Sequence, residues 1–400
     1  MRVAIVAEWY PSPADPVHGI WAHRQAVAAR DAGAEVRVLA MRRPVPPLSA
    51  LRALAGAPPD ARPLRTWLAG VRRSLRPWEL DGIEIQPVPF ASPPRPRSYG
   101  AWGHWMAPPL HAALQRLRSR FDFDLLHAHC IAPPGYAAAR WARHDGRPPL
   151  VVSAHGPDMI GVPELSGVAR RACEAGLRGA DLVLANSRWA ERRCEQIARG
   201  PLPTRVVHLG ADLTELPAER RERPTVVTLA HLVARKRHAV VLHALAELRP
   251  ALDLDYLVIG DGPGREPLER LAAELGLAGN VTFAGQLEHG RALAELRRCH
   301  LFAMPGVEEP FGVAFVEAMA AGLPAIGARG EGGPEDIAAA GEGMLLVAPD
   351  DHRALARTIA DVFERGPEEL GRAARHTVER NFTWERCGRE TVAAYEAALR

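Results

Sequence analysis

The chain has 400 residues, a length for two domains or three at most, and 47% of them are apolar and 24% charged, a balance ordinary for a soluble globular enzyme. The formal net charge is only +3, which excludes a bulk electrostatic case for nucleic acid. The five cysteines (Cys130, Cys173, Cys194, Cys299 and Cys387) are scattered and form no C-x-x-C, so they read as reduced, buried thiols rather than as disulfides or a metal site. The chain enters an apolar strand at Val3 without a charged leader, and no segment reaches the ~20 apolar residues of a membrane-spanning helix. The expected location is cytoplasmic.

Short apolar runs alternate with amphipathic stretches from the start, which predicts parallel sheets covered by helices. In the first half strands are expected at 3–7, 35–39, 83–88, 124–128, 150–153, 182–185 and 205–208, with helices such as 21–31 and 137–144 between them. Residues 42–120 are less regular. They carry thirteen Arg against four acids, together with Trp67, Trp78, Trp102 and Trp105. Two readings stand: a Pro-rich insertion whose Trp residues pack inward, or a surface resting on an anionic bilayer, with Arg at the headgroups and Trp at the interface. The polar, Pro-flanked stretch 216–224 has the composition of a linker. The second half repeats the alternation, with strands at 225–229, 255–259, 281–284, 301–304, 325–328 and 344–347. The expected fold is therefore α/β, two Rossmann-like domains with parallel sheets. A cleft between the carboxyl ends of their strands would hold the ligand.

The strongest constellation is Glu308-Glu309-Pro310-Phe311-Gly312-Val313, which follows the strand 301–304 and opens a helix carrying Glu317. Gly312 and the free N–H groups of the helix start suit a phosphate. Glu309 and Glu317 flank that point with hydroxyl-binding carboxylates. Diphosphate between, sugar at one end and ribose at the other is the arrangement of a nucleotide sugar. The second constellation is His231-Leu232-Val233-Ala234-Arg235-Lys236, after the strand 225–229. Fifty residues are basic and forty-nine of them are Arg, so Lys236 is the one Lys of the chain. A compact ammonium on a flexible stem fits where a planar guanidinium does not, and a basic loop at this edge neutralises a diphosphate. The run Gly260-Asp261-Gly262-Pro263-Gly264 is not a dinucleotide fingerprint, because Pro interrupts it. It reads as a tight strand-to-helix turn. In the first half, His18-Gly19, His127 with His129, and His155-Gly156-Pro157-Asp158 lie just past strand ends. His155 reads as functional, His127 and His129 mainly as structural. The His spacing lacks a paired ligand motif, so no metal is expected.

These residues resemble the retaining glycosyltransferases of family four, with the GT-B fold, along nearly the whole chain. The match is most specific at Glu309 and Glu317, the family's Glu-x7-Glu motif. It extends to Leu232–Lys236, Gly260–Pro263, Val281–Gly285, Gly332-Gly333-Pro334-Glu335, His155–Asp158 and the closing Phe382-Thr383-Trp384-Glu385. The resemblance implies an N-terminal acceptor-side domain over 1–215, to which the helix in 381–400 crosses back, and a nucleotide-sugar domain over 225–380. It implies that Lys236 and Arg235 hold the donor diphosphate, and that Glu309 binds the transferred sugar and Glu317 the ribose. Gly312 and Val313 would offer backbone N–H groups, Gly19 would lie near the diphosphate, His155 near the sugar, and the base along 283–286. Lys236, Glu309 and His155 are the catalytic candidates. Ala230-His231 stands where Gly-Arg is common in the family, and His18-Gly19 where a Gly pair is common. His231, as a donor-binding candidate, would make diphosphate binding pH-dependent.

The implied activity is retaining, metal-independent transfer of a hexose-type sugar from a nucleotide-diphosphate sugar to a hydroxyl acceptor, without a cofactor. The acceptor would be a glycan, a lipid-linked sugar or a small molecule. Polysaccharide or glycolipid biosynthesis, at the inner face of a membrane under the bilayer reading, is the implied setting. A sugar-nucleotide epimerase, a non-catalytic nucleotide-sugar-binding protein, a paired-carboxylate hydrolase and a phosphorylase with pyridoxal phosphate on Lys236 are the alternatives.

Overall fold

The computed structural model describes residues 1–45, 62–142, 147–213, 215 and 219–400, and the side chains of 62–64 and 96–97 lie outside the described set. The beginning of the expected linker, the end of the helix expected over 137–144 and residues 46–61 of the Arg-rich segment therefore fall outside the described residues. Two units emerge. One comprises Met1–Asn186, Ala190–Val207 and Gly388–Arg400, and the other Ser187–Trp189 with His208–Cys387.

The first unit is built on eight strands, β1 (Arg2–Ala7), β2 (Glu35–Arg42), β3 (Trp78–Leu80), β4 (Ile83–Pro89), β5 (Leu125–His129), β6 (Leu150–Ala154), β7 (Leu182–Ala185) and β8 (Thr204–Val206). Their order is β3-β4-β2-β1-β5-β6-β7-β8. All neighbouring pairs are parallel except β3 with β4. Val3 to Ala7 are fully buried, as expected for a central strand covered on both faces. The strand order reverses at β1 and β5, so their carboxyl ends form a switch point. The strand expected at 205–208 begins and ends earlier, because Val207 leaves the ladder after its N–H reaches the Ala185 carbonyl.

The described part of 42–120 is more regular than its composition suggests. It forms the helices Arg62–Ser74 and Trp102–Arg118. Pro108 and Pro109 lie inside the second helix, where each is worth about 3 kcal/mol against helix formation. Trp102, Met106, Leu110 and Leu114 recur every four residues and are all buried. At roughly 2 kcal/mol per buried side chain that stripe outweighs the prolines. The four Trp residues behave differently. Trp102 is 4% exposed, Trp105 is 43% exposed, and Trp67 and Trp78 are half-buried.

The second unit carries β9 (Thr225–Leu229), β10 (Asp255–Ile259), β11 (Val281–Gly285), β12 (Leu301–Met304), β13 (Ala325–Ala328) and β14 (Met344–Val347). They form one parallel sheet in the order β11-β10-β9-β12-β13-β14. Val226, Tyr256, Leu301 and Ile326 anchor its core with Leu242, Leu355 and Ile359 from the covering helices. The reversal here lies between β9 and β12. Residues 219–224 are tied to this unit: Arg221 donates its N–H to the Arg298 carbonyl and pairs with Glu295 at 2.7 Å.

Candidate active site

The loops after β9 and β12 lie side by side at the switch point of the second sheet. They are joined by a backbone bond, Val307 N–H donating to the Arg235 carbonyl at 2.8 Å. Gly306 makes this approach possible: a Cβ there would sit 3.1 Å from the Arg235 oxygen and 3.4 Å from the Lys236 Cα. The Gly260 turn supports the first loop from below. Its φ is +136°, and a Cβ would strike the backbone of Ala230. The glycines of 260–264 therefore serve packing against 230–232, in keeping with a tight turn.

Lys236 and Glu309 meet where the two loops touch. Lys236 Nζ donates to Glu309 Oε2, with side chains 11% and 9% exposed. Arg235 lies on the open side of the same carboxylate, 3.8 Å away, and its Nη1 donates to the Glu308 carbonyl at 3.3 Å. Glu331 holds the loop from beyond, its carboxylate accepting the Glu309 N–H at 3.0 Å. Burial raises the Glu331 carboxyl above its ordinary value, against the pull of that N–H bond. Gly332 and Gly333 bring the helix Gly332–Ala340 onto the loop. A Cβ on Gly333 would collide with the Phe311 backbone, and its N–H reaches the Glu309 carbonyl at 3.2 Å.

The helix expected to carry Glu317 runs from Val313 to Ala320, with Gly312 as its N-cap at φ 79° in the left-handed region. No side chain caps this start, and the first N–H groups of any helix lack partners inside it. Glu317, on the same helix, is 13% exposed and stands 3.5 Å from His289. It helps line a small hollow with Asp212, Leu293, Arg297 and Trp384. Thus Lys236, Arg235 and Glu309 are brought together, Gly312 and Val313 form the adjoining helix start, and Glu317 follows one face on. The His231 side chain is exposed, and its carbonyl accepts from Val233 N–H and His238.

Gly19 and His155 belong to the first unit. Gly19 caps the helix Ile20–Asp31 at φ 76°, and a Cβ there would collide with the Trp9 backbone. His155 follows β6. Its turn is fixed by Asp158, a buried carboxylate accepting N–H bonds from Gly156 at 2.8 Å, Ile131 at 2.8 Å and His155 at 3.3 Å. Burial raises the Asp158 carboxyl, and those three bonds oppose the rise. The His155 ring packs on Trp21, centroids 4.0 Å apart, and its Nε2 lies 2.9 Å from His129 Nδ1. Sequence reasoning assigned nothing to Asp158 or Glu331. An acid three residues after a post-strand His was the available signal for the first. Glu331 carried none. Among the described residues no group of His, Cys, Asp and Glu is arranged to hold a metal ion.

Comparison with known proteins converges on one class. The model of "Glycosyltransferase Family 4" matches residues 19–215, and that of "Glycosyl transferases group 1" matches 215–377. The GDP-mannose-dependent alpha-(1-6)-phosphatidylinositol monomannoside mannosyltransferase of Mycolicibacterium smegmatis is 30% identical over 305 residues, covering 70% of this chain and 78% of that protein. The 2-deoxystreptamine glucosyltransferase of Streptomyces kanamyceticus is 29% identical and covers 87% of this chain and 97% of its own length. Among solved structures, sucrose-phosphate synthase from Thermosynechococcus elongatus superposes with TM-score 0.74 at 20% identity, over 99% of this chain and 98% of the other. HepE of Anabaena, in complex with UDP and glucose, superposes with TM-score 0.70 at 19% identity, over 99% and 100%. The two parallel-sheet units are those of the GT-B fold. The chain belongs to family four of the glycosyltransferases.

Proposed function

We propose that the chain transfers a hexose, with retention and without a metal, from a nucleoside-diphosphate sugar to an acceptor hydroxyl in glycan or glycolipid assembly. The observation that carries this reading is the buried Lys236–Glu309 pair beside the uncapped start of the helix Val313–Ala320. As the glycosidic bond breaks, negative charge develops on the departing diphosphate. The Lys236 ammonium, the Arg235 guanidinium and the N–H groups at Gly312 and Val313 stabilise it there. The acceptor hydroxyl attacks C1 from the face the diphosphate leaves, and its proton passes to the leaving phosphate oxygen. Glu309 orients the sugar through its hydroxyls rather than bonding to C1. Glu317 takes the ribose hydroxyls, the backbone over 283–286 takes the base, and Gly19 and His155 complete the donor contacts.

A donor screen tests this. Purified protein with UDP-, GDP- and ADP-sugars is expected to show release of one nucleotide and a matching thermal shift, both lost in Lys236→Ala. Unchanged turnover in that variant overturns the assignment. Turnover abolished by a chelator and restored by a divalent ion overturns the metal-free part, and inversion at C1 overturns the retaining part. The relatives act on a phosphatidylinositol mannoside and on 2-deoxystreptamine, so the acceptor panel includes lipid-linked and small polyol hydroxyls. The same reading extends to peripheral contact with an anionic bilayer, supported by exposed Arg65, Arg72, Arg73 and Leu68 on the helix Arg62–Ser74. Flotation with phosphatidylglycerol vesicles is the expected result, and protein left wholly at the bottom of the gradient removes that extension.

A further inference from the structure

Two rungs of side chains cross from β5 to β6 on one face of the first sheet, and they differ in one respect. In the inner rung, His127 Nδ1 lies 2.8 Å from the Tyr395 hydroxyl and His127 Nε2 lies 2.7 Å from the Ser153 hydroxyl. Both of its ring nitrogens are satisfied inside the protein. In the outer rung, His129 Nδ1 meets His155 Nε2 at 2.9 Å, with the rings stacked. The two remaining nitrogens, His129 Nε2 and His155 Nδ1, are buried and have no hydrogen-bond partner among the described residues. The neighbouring Asn186 Oδ1 is in the same state, while its amide nitrogen donates to the His155 carbonyl at 2.9 Å. Buried polar atoms without partners are rare in folded proteins. Here three gather at the ends of β5, β6 and β7, the two His rings packed next to Trp21.

Both imidazoles are neutral at ordinary pH. Burial holds His129 down at about 3 and His155 well below the usual imidazole value. A neutral pair shares two N–H protons. One occupies the bond between the rings and the other must sit at an unpartnered end. If His155 Nε2 donated inward, the free N–H would be on His129 Nε2. His129 is the deeper ring, 1% exposed, whereas His155 is partly exposed, with its Nδ1 just beneath the surface. A stranded N–H donor is the rarer condition in a protein interior. The alternative has His129 Nδ1 donate to His155 Nε2, which puts the second proton on His155 Nδ1.

We propose that His129 is a positioning residue that fixes His155 as the Nδ1–H tautomer, a hydrogen-bond donor to a hydroxyl or phosphate oxygen of the sugar-nucleotide substrate. This rests on the reading of His155 as a donor contact. The inner rung has no such open end and keeps a structural role. The acceptor ends of the cluster, His129 Nε2 and Asn186 Oδ1, suit water or a substrate hydroxyl.

The tautomer is measurable without turnover. In protein labelled with 15N-histidine, His155, assigned by its loss in His155→Ala, is expected to show a protonated Nδ1 and a pyridine-like Nε2. His129→Phe is expected to move the proton to Nε2, and His129→Asn, whose amide again donates to Nε2, is expected to restore it. The opposite tautomer in the wild-type protein, or an unchanged one in His129→Phe, overturns the proposal. Turnover, as nucleotide release from GDP-mannose or UDP-glucose, supplies the second arm. His129→Phe and His155→Ala are each expected to lose about tenfold or more, and the double variant no more than His155→Ala alone, because His129 acts through His155. Additive losses with unchanged melting temperatures overturn the coupling. Full turnover in His155→Ala sinks the donor-contact reading, and with it the substrate half of the proposal, while the tautomer spectra still judge the pairing.

Discussion

At the scale of single residues, Lys236 and Glu309 carry the proposed chemistry and also form a buried ion pair, and the two roles separate by substitution. Each charge is buried against the other. Removing one leaves the other uncompensated, which costs about 3–5 kcal/mol, whereas replacing both by neutral groups of similar shape is often close to neutral. Glu309→Gln is therefore expected to lower the melting temperature by several degrees, and Lys236→Met/Glu309→Gln to recover most of it. Both variants are expected to lose about 10²-fold or more of nucleotide release. Calorimetry beside the donor assay checks this, and a double variant no more stable than the single one contradicts it. Glu8, just past β1, gives the pH prediction. Burial raises its carboxyl from 4.5 to about 7, against the hydrogen bond from Tyr99 and the charges of Arg95 and Arg43. A carboxyl whose folded pKa is raised contributes stability that is complete below the unfolded value and lost as pH rises through the folded one. The wild-type protein is thus expected to lose stability between pH 4.5 and about 7 at this group, and Glu8→Gln to flatten that slope. Melting curves at pH 5 and pH 8 test it. A stability gain at pH 8 no larger than at pH 5 refutes the assignment.

At the scale of elements, the regular parts were legible and the special ones were not. The inner strands of the second sheet follow directly from apolar runs between turn residues, because a parallel strand buried on both faces has no other pattern to show. The helix Trp102–Arg118 was not legible. Two internal prolines argue locally against it, and only the buried stripe from Trp102 to Leu114 reveals why it persists. The carboxylates at 309 and 317 and the single Lys stood out by spacing and composition. The direct ion pair of Lys236 with Glu309 did not, because the apolar runs do not say that β9 neighbours β12. The support of the Glu309 loop was still less visible, since it depends on the close approach of the helix Gly332–Ala340. That approach makes a prediction. Gly333→Ala places a methyl against the Phe311 backbone, so loop or helix must shift, at a cost of roughly 1–3 kcal/mol. A displaced Glu309 is expected to reduce nucleotide release about tenfold or more. Gly330→Ala is the control: its φ is +83°, yet a Cβ there meets nothing within 4 Å, so it carries backbone strain without the collision. Equal activity loss in the two variants argues against the packing explanation.

At the scale of the whole molecule, chain order and structural order part company at the C-terminus. Residues 388–400 are the last in sequence but belong to the first unit. Their attachment is specific. Gly388 lies so close to the helix Ile20–Asp31 that a Cβ would collide with the Ala28 carbonyl. The Thr391 hydroxyl accepts from Gln25 at 3.2 Å, and the fully buried Tyr395 reaches His127. Ending the chain at Cys387 removes these partners together. It leaves His127 Nδ1 short of its hydroxyl beneath the His129–His155 rung. The truncated protein is therefore expected to lose protection first in β5 and β6, more than a hundred residues earlier in the sequence than anything near the cut. Hydrogen exchange read by mass spectrometry locates that loss. Tyr395→Phe is the mild counterpart, removing one hydroxyl from a buried network at about 1–3 kcal/mol, and its faster exchange is expected to centre on the same two strands. Faster exchange confined to the helix Trp384–Ala398, with β5 and β6 as protected as before, shows that the terminal residues lie on the first unit without supporting it.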